Sequence, residues 1–350
     1  AELVRQLSAQ GVEIHVAAFD SGDGGNTEVL QAVEGHVHQV ARIPCKGPLD
    51  RQAFQSLNRY IAEHRIDLVH SHKYKTTFYA LPGRLLGRFR LVTTYHNWIT
   101  HTPALKFYAW LDKRLARLND AAVAVSTPVA QELRRHMPVR KVHQIDNGID
   151  TRRYARQMPR EQAKVALGLD PARPVLGFVG RLSQEKGLPY LIEALSTQPD
   201  VFRDVQVVIV GEGEVRSSLV QLIEERGLSG QVKLFGNRRD TPLIYSALDV
   251  FTLPSILEAF PMVILEAMAC GCPVVATDVG EVSRIIDAGL TGWIVPPRAP
   301  QALAQALASV LHDPAHAQDI ATRAQQKVQD LFSSSAMAQR YLEIYQVAMA

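Results

Sequence analysis

Ser255-Ile256-Leu257-Glu258-Ala259-Phe260-Pro261-Met262-Val263-Ile264-Leu265-Glu266-Ala267-Met268-Ala269-Cys270-Gly271-Cys272-Pro273-Val274-Val275-Ala276-Thr277 is the stretch whose reading decides the fold. Pro261 suits a first helical turn, where its missing N–H costs nothing. Residues 262–270 contain no helix breaker, Gly271 supplies a stop, and Pro273 prevents continuation. Residues 274–276 then read as a short buried strand. Glu258 therefore falls in the loop before a helix and Glu266 inside it. The first-turn N–H groups of Met262 and Val263, with the backbone near Phe260, are donors without intrahelical partners. Two carboxylates and these donors suit a ligand that carries hydroxyls and an anion. The competing reading is a capped amphipathic helix with a solvated Glu266.

Working outward, the second half alternates strand and helix signals. Strands are expected at 175–179, 206–210, 232–235, 250–253, 274–276 and 293–295. The first half does the same, with strands at 12–19, 37–41, 68–71, 91–95, 121–125 and 141–145, and a helix at 51–64. Repeated alternation predicts parallel sheets covered by helices on both faces. The fold class is thus α/β, with two doubly wound Rossmann-like domains. The turn Ile145-Asp146-Asn147-Gly148-Ile149-Asp150 marks the boundary, followed by a polar stretch. The expected division is 1–152, 153–331 and a final helix in 332–350, with Ser333, Ser334 and Ser335 as candidate N-caps. Leu342, Ile344, Tyr345 and Met349 give that helix an apolar stripe.

Open α/β sheets bind ligands at the carboxyl ends of their strands. His70, His72 and His96 fall at such ends, as do Lys73 and Lys75 just beyond. After the strand at 175–179 comes Gly180-Arg181-Leu182-Ser183-Gln184-Glu185-Lys186-Gly187, and Pro189 opens a helix. Two cations and a helix N-terminus suit a diphosphate; an exposed charged turn is the plainer reading. Gly211-Glu212-Gly213 follows the next strand, but Arg216 stands where a dinucleotide fingerprint needs its third glycine, so a nicotinamide site is not expected. No two aspartates stand two residues apart anywhere in the chain. His70 and His72 share a strand face and read either as metal ligands or, more plainly, as hydrogen-bonded histidines at a strand end.

Composition is that of a globular protein: 47% hydrophobic, 21% charged, net charge +3. Charge is uneven. Residues 1–150 hold 19 Lys or Arg against 14 Asp or Glu, and the basic excess peaks between Lys73 and Arg117. A basic half suggests an anionic partner. In 104–118, Leu105, Tyr108, Leu111, Leu115 and Leu118 form a stripe, and Lys106, Lys113, Arg114 and Arg117 lie largely off it beside Phe107 and Trp110. This reads either as a helix for an anionic membrane surface or as a core helix with a solvated basic face. No nucleic-acid motif accompanies the basic patch. Cys45, Cys270 and Cys272 form no metal cluster, no apolar run is long enough to span a membrane, and the start reads as a helix rather than a leader; the cytoplasm is the default expectation.

The 255–277 stretch resembles the E-x7-E signature of the retaining, nucleotide-sugar-dependent glycosyltransferases of GT-B fold known as family 4. The match takes in E-A-F-P at its entry and E-A-M-A-C-G-x-P-V-V-A-T at its exit. The loop at 180–187 resembles the family's G-R-x-x-x-x-K-G diphosphate loop, and N-G-I-D its turn before the interdomain linker. The resemblance implies two domains facing across a cleft and a last helix crossing back to the first. It assigns Arg181 and Lys186 to the leaving nucleoside diphosphate, Glu258 to donor-sugar hydroxyls, and Glu266 to ribose hydroxyls. Gly180, Gly211 and the backbone at Asn237 would line the nucleotide pocket, with Phe260, Pro261, Met262 and Val263 at the sugar. His96 would reach the donor sugar, and His72, Lys73 and Lys75 would lie on the acceptor side. Asn97 stands where relatives often have Asp.

The resemblance also implies a first strand and Gly-Gly loop that this sequence lacks; residues 1–9 resemble the helix that follows them, and 12–18 the second strand. The expected reaction moves a sugar from a nucleoside-diphosphate sugar to a glycolipid or polysaccharide precursor, with no cofactor and no divalent metal. A two-lobed sugar-binding protein without catalysis and a sugar-nucleotide epimerase are the alternatives.

Overall fold

The computed structural model describes residues 1–20, 22, 27–47, 49–96, 98 and 102–350. The chain divides into two compact units, residues 1–148 with 334–350, and residues 149–333.

Among the described residues, unit one holds six parallel strands in two sheets. β1 (His15–Asp20) pairs with β2 (Gln39–Pro44). β3 (Leu68–His72), β4 (Arg90–Tyr95), β5 (Ala121–Ala124) and β6 (Val142–Gln144) lie side by side in that order. β1 begins three residues later than its apolar pattern suggests, just after Ile14, whose C=O accepts from His38 N–H. β3 and β1 each have one hydrogen-bonded strand neighbour.

The final helix, Ser334–Met349, packs within unit one beside β4 and the helix Glu2–Ala9. Its buried face is Met337, Tyr341, Ile344 and Ala348, spaced as one helical stripe. Met349, assigned to the stripe from sequence, is exposed, and Leu342 is half-buried. Tyr341 rather than Leu342 turns inward because its hydroxyl meets Thr94 Oγ1 at 3.0 Å on β4.

Unit two is one six-stranded parallel sheet. Its strands are β7 (Val175–Val179), β8 (Gln206–Val210), β9 (Val232–Gly236), β10 (Val250–Leu253), β11 (Val274–Thr277) and β12 (Trp293–Val295). Their order is β12-β11-β10-β7-β8-β9. The chain winds outward one way from β7 and then the other way from β10. The direction therefore reverses between β7 and β10, the place where such sheets bind ligands. β7, β8, β10 and β11 are buried along their whole length, as strands covered on both faces must be.

Residues 149–152, grouped by sequence with the first half, belong to unit two. Ile149 N–H bonds Phe332 C=O at 2.9 Å, and Ile149 bridges Ser333 in parallel fashion.

Candidate active site

The loops after β7 and β10 leave the sheet on either side of the reversal point. In the first, Gly180 turns out of β7 and a short 3-10 turn, Gln184–Lys186, ends at Gly187. Gly187 has φ +62, and a Cβ there would lie 2.1 Å from the Pro254 carbonyl oxygen, so the two loops touch backbone to backbone. The Glu185 carbonyl accepts from Ile256 N–H at 2.8 Å. Glu185 thus acts through its main chain, tying the diphosphate-type loop to the loop that carries Glu258.

This contact brings Lys186 to Glu258. Lys186 Nζ donates to Glu258 Oε1 at 2.6 Å, and Ser255 Oγ donates to the same oxygen at 2.7 Å. Both partners are largely withdrawn from solvent, with side-chain exposures of 19% and 9%. Arg181 differs. Its side chain is 68% exposed and approaches Glu214 at 3.7 Å.

The helix Met262–Ala269 follows. Pro261 is its N-cap, at φ −77 and ψ 99, not a residue of its first turn. Extended backbone at Pro261 is what lets the loop enter the helix from β10. The far end is closed by a Schellman arrangement: Gly271 at φ +66, Gly271 N–H to Met268 C=O at 2.9 Å, and Cys272 N–H to Ala267 C=O at 3.0 Å. Arg156 Nη2 donates to the Gly271 carbonyl at 2.9 Å and Gln325 Nε2 to that of Ala269 at 2.7 Å. These side chains hold the helix that carries Glu266. The side chains of Phe260, Met262 and Val263 pack against the core, so what they offer a ligand is backbone.

Glu266 Oε2 accepts from Tyr245 hydroxyl at 2.8 Å. Burial pushes the Glu266 carboxyl above its ordinary range, and hydrogen bonds from Tyr245 and Tyr154 pull the other way. Tyr154 also engages Thr241, so one hydroxyl network joins Glu266 to Thr241. Sequence pattern carried no signal for either tyrosine, since their link to Glu266 is purely tertiary.

Thr241 lines a pocket of about 400 Å³ at the carboxyl ends of β7, β8 and β9. Its other walls are Val179, Gly180 and Arg181, Val210, Gly211 and Glu212, and Asn237 and Arg238. Gly180, Arg181, Gly211 and Asn237 were selected from sequence and meet here. Lys186, Glu258 and Glu266 do not line it. Gly211 is required by close approach: at φ +136, a Cβ there would lie 1.9 Å from the Gly180 carbonyl oxygen.

Another glycine was missed. Gly280 sits at φ +59, and a Cβ there would lie 2.2 Å from the Glu258 carbonyl oxygen. Beside it, Glu281 N–H bonds the Ala259 carbonyl at 3.1 Å. The turn after β11 therefore presses directly on the Glu258 loop. Nothing local in Asp278-Val279-Gly280 says what it touches.

Cys270 and Cys272 are buried thiols. Burial pushes Cys272 up to about 12 and Cys270 still higher, so neither is a nucleophile at neutral pH.

In unit one, His70 is fully committed. Its Nε2 meets Thr94 Oγ1 at 2.7 Å and its Nδ1 meets Tyr345 hydroxyl at 2.7 Å. Burial, then the neighbouring His72 and His96, hold it well below its ordinary range and therefore neutral. Both ring nitrogens of His70 thus lie in hydrogen bonds inside unit one, the plainer of the two readings its sequence position allows. His96 Nε2 lies 3.3 Å from His72 Nδ1. Trp98 lies against Tyr95 and donates to Asp112 at 2.9 Å. Lys75 places its ammonium 5.6 Å from the Phe19 ring centroid. The Lys73 side chain and Asn97 lie outside the described residues.

The helix Pro103–Leu115 ends before the expected 118, with a 3-10 turn Ala116–Leu118 beyond it. Ala109, Asp112 and Ala116 are its buried side, and the apolar stripe read from sequence lies half-buried on the flank. Phe107 and Trp110 are exposed and stack at 6.0 Å, with Arg114 5.8 Å from the Trp110 centroid. No helix among the described residues is long and apolar enough to cross a membrane.

Comparison with known proteins accounts for both halves. The family description Glycosyltransferase Family 4 matches residues 1–153, and Glycosyl transferases group 1 matches residues 159–327. Alpha-maltose-1-phosphate synthase of Mycolicibacterium smegmatis is 30% identical over 81% of this chain and 79% of its own length. The lipopolysaccharide core biosynthesis mannosyltransferase LpsB of Rhizobium meliloti is 32% identical over 65% of this chain and 63% of its own. In fold, the chain superposes on Anabaena HepE, solved in complex with UDP, with a TM-score of 0.80 at 23% identity, covering 96% of this chain and all of the other. Two Rossmann-like units with carboxyl-end loops of this make, and relatives matched along most of their length, lead to one conclusion: the chain belongs to glycosyltransferase family 4, with the GT-B fold.

Proposed function

We propose that this glycosyltransferase is retaining, needs no divalent metal, and serves a glycolipid or cell-surface polysaccharide precursor. The observation that carries the reading is the pocket of unit two. Gly180, Arg181, Gly211 and Asn237 converge there from three strand ends, while Lys186 and Glu258 meet across the reversal point of the sheet. The nucleoside diphosphate of the donor takes the pocket. Arg181 and Lys186 answer the charge that grows on the diphosphate as the glycosidic bond breaks, which is electrostatic catalysis. Glu258, freed from Lys186 by the incoming phosphate, accepts hydrogen bonds from donor-sugar hydroxyls. Glu266 serves the ribose. His96 is assigned to the donor sugar as well, and His72, Lys73 and Lys75 to the acceptor.

The described residues near the pocket offer no nucleophile aimed at a sugar carbon. The reaction assigned is attack by the acceptor oxygen on the face the phosphate leaves. The C1–O bond to phosphate breaks, the C1–O bond to the acceptor forms, and the acceptor proton passes to the departing phosphate oxygen. The polysaccharide assignment follows the function printed for the Rhizobium relative.

Metal-free, EDTA-treated enzyme tests the central point. Transfer at the untreated rate, from an α-linked donor to an α-linked product, is expected. Activity lost in EDTA and restored by magnesium or manganese, or an inverted product, would overturn the reading. Thermal shifts with UDP, GDP and ADP sugars identify the base, since a ligand at a hundred times its Kd adds about 2.7 kcal/mol. Donor consumed without acceptor would mark an epimerase instead.

A further inference from the structure

Glu13, His15 and His38 meet where the β1–β2 sheet begins, and none of them serves the reaction assigned above. Glu13 Oε1 lies 3.4 Å from His15 Nε2 and 3.7 Å from His38 Nε2. All three candidate ligand atoms fall within 4.8 Å of one another. Zinc holds its ligands at about 2.0–2.1 Å in a tetrahedron, which sets neighbouring ligand atoms about 3.3 Å apart. The two measured spacings are therefore within a few tenths of an ångström of a tetrahedral edge.

The backbone explains why they meet. Glu13 and His15 are two residues apart in extended chain, so their side chains leave on one side. His38 is brought alongside by its N–H bond to Ile14 C=O at 2.8 Å. The surroundings are also those of a ligand set. His15 Nδ1 lies 2.8 Å from the Tyr60 hydroxyl. Donation from Nδ1–H to that oxygen leaves the Nε2 lone pair directed at Glu13 and His38, the outer-shell arrangement that orients metal-binding histidines. The His15 ring is further clamped by His38 at 5.3 Å and His64 at 4.9 Å. His15 is 6% exposed, whereas Glu13 and His38 are 68% and 64% exposed, so an ion has a rigid anchor and an open entry side.

We propose that Glu13, His15 and His38 form a site for a divalent transition metal, zinc by donor type, with water completing the tetrahedron. Two imidazoles and one carboxylate suit zinc better than magnesium or calcium, which prefer all-oxygen sets. The ion would fasten the start of β2 to the start of β1 and, through Tyr60, to the end of the helix Arg51–Glu63.

Tag-free, chelator-stripped protein titrated with zinc chloride alone in a calorimeter tests this. Uptake of about one equivalent is expected, with cobalt(II) giving the intense visible absorption of four-coordinate sites and zinc raising the melting temperature. His38→Ala, at an exposed position, should keep its circular dichroism and lose at least tenfold in affinity. Tyr60→Phe should weaken binding by about tenfold, the size of an outer-shell loss. No stoichiometric uptake by the wild type, or a folded His38→Ala that binds zinc as tightly as the wild type, would overturn the proposal.

Discussion

Lys186 Nζ and Glu258 Oε1 are 2.6 Å apart although 72 residues separate them in the chain. The pair spans the line between β7 and β10 where the sheet changes direction. It also makes the two cations of the loop after β7, Arg181 and Lys186, unequal, which a substitution experiment can read.

Lys186→Ala strands a largely buried carboxylate. Breaking such a pair costs about 3 kcal/mol of stability, and Glu258→Gln in the same chain should restore most of it. Arg181→Ala, at an exposed site with a distant partner, should cost at most about 1 kcal/mol. Both should lower transfer about a hundredfold, the loss expected for one preorganised charge. Denaturant melts and steady-state rates on the two variants check this together. An Arg181→Ala, Lys186→Ala double variant with near-normal turnover would end the diphosphate assignment.

Gly280→Ala should damage transfer from outside the pocket. The new methyl group would meet the Glu258 carbonyl oxygen at 2.2 Å and the Ala259 carbonyl oxygen at 3.0 Å, so the Glu258 loop must move. A left-handed backbone at alanine adds about 1–2 kcal/mol. Gly227→Ala is the control, at φ +68 with nothing within 4 Å of its Cβ. It carries the backbone strain alone. If both variants turn over equally, Gly280 does not position Glu258.

Asp112 should make unit one more stable in mild acid than at neutrality. Burial raises its carboxyl to about 6, with the Trp98 hydrogen bond and Lys113 opposing. A folded-state value above the unfolded 3.8 means that the folded chain binds more protons. The contribution is complete below about pH 4 and is lost as pH rises through about 6, amounting to about 3 kcal/mol at most. Asp112→Asn keeps an acceptor for Trp98 and should flatten the stability profile between pH 4 and 7. Parallel wild-type and variant profiles would contradict the burial argument.

The exposed strip of Phe107, Trp110 and Arg114, with Lys106 and Arg117 beside it, should bind vesicles containing anionic lipid. Binding should weaken with salt, since screening acts within about 8–10 Å at physiological ionic strength. Phe107→Ser with Trp110→Ser should abolish it while leaving transfer to a soluble acceptor intact. Sedimentation that ignores both salt and the substitutions would leave the strip without this role.

Much of this protein is determined by local sequence. The strands β7, β8 and β10 lie where continuous apolar runs and flanking turns put them, because a strand buried on both faces needs such a run. The helix Met262–Ala269 starts and stops at Pro261 and Gly271, whose backbone preferences are intrinsic. Gly180, Arg181, Gly211 and Asn237 could be selected because the loops that carry them resemble the family's diphosphate loop and nucleotide-pocket turns. What sequence left open depends on distance through space. Strand order alone puts the β7 and β10 loops side by side, and only then does Lys186 find Glu258. Tyr154 and Tyr245 reach Glu266, and Gly280 presses on Glu258, through contacts that no period or motif encodes. The stripe of the final helix was misread at Met349 for the same reason: apolar character says a residue can be buried, and the packing of Tyr341 against Thr94 decides which face is.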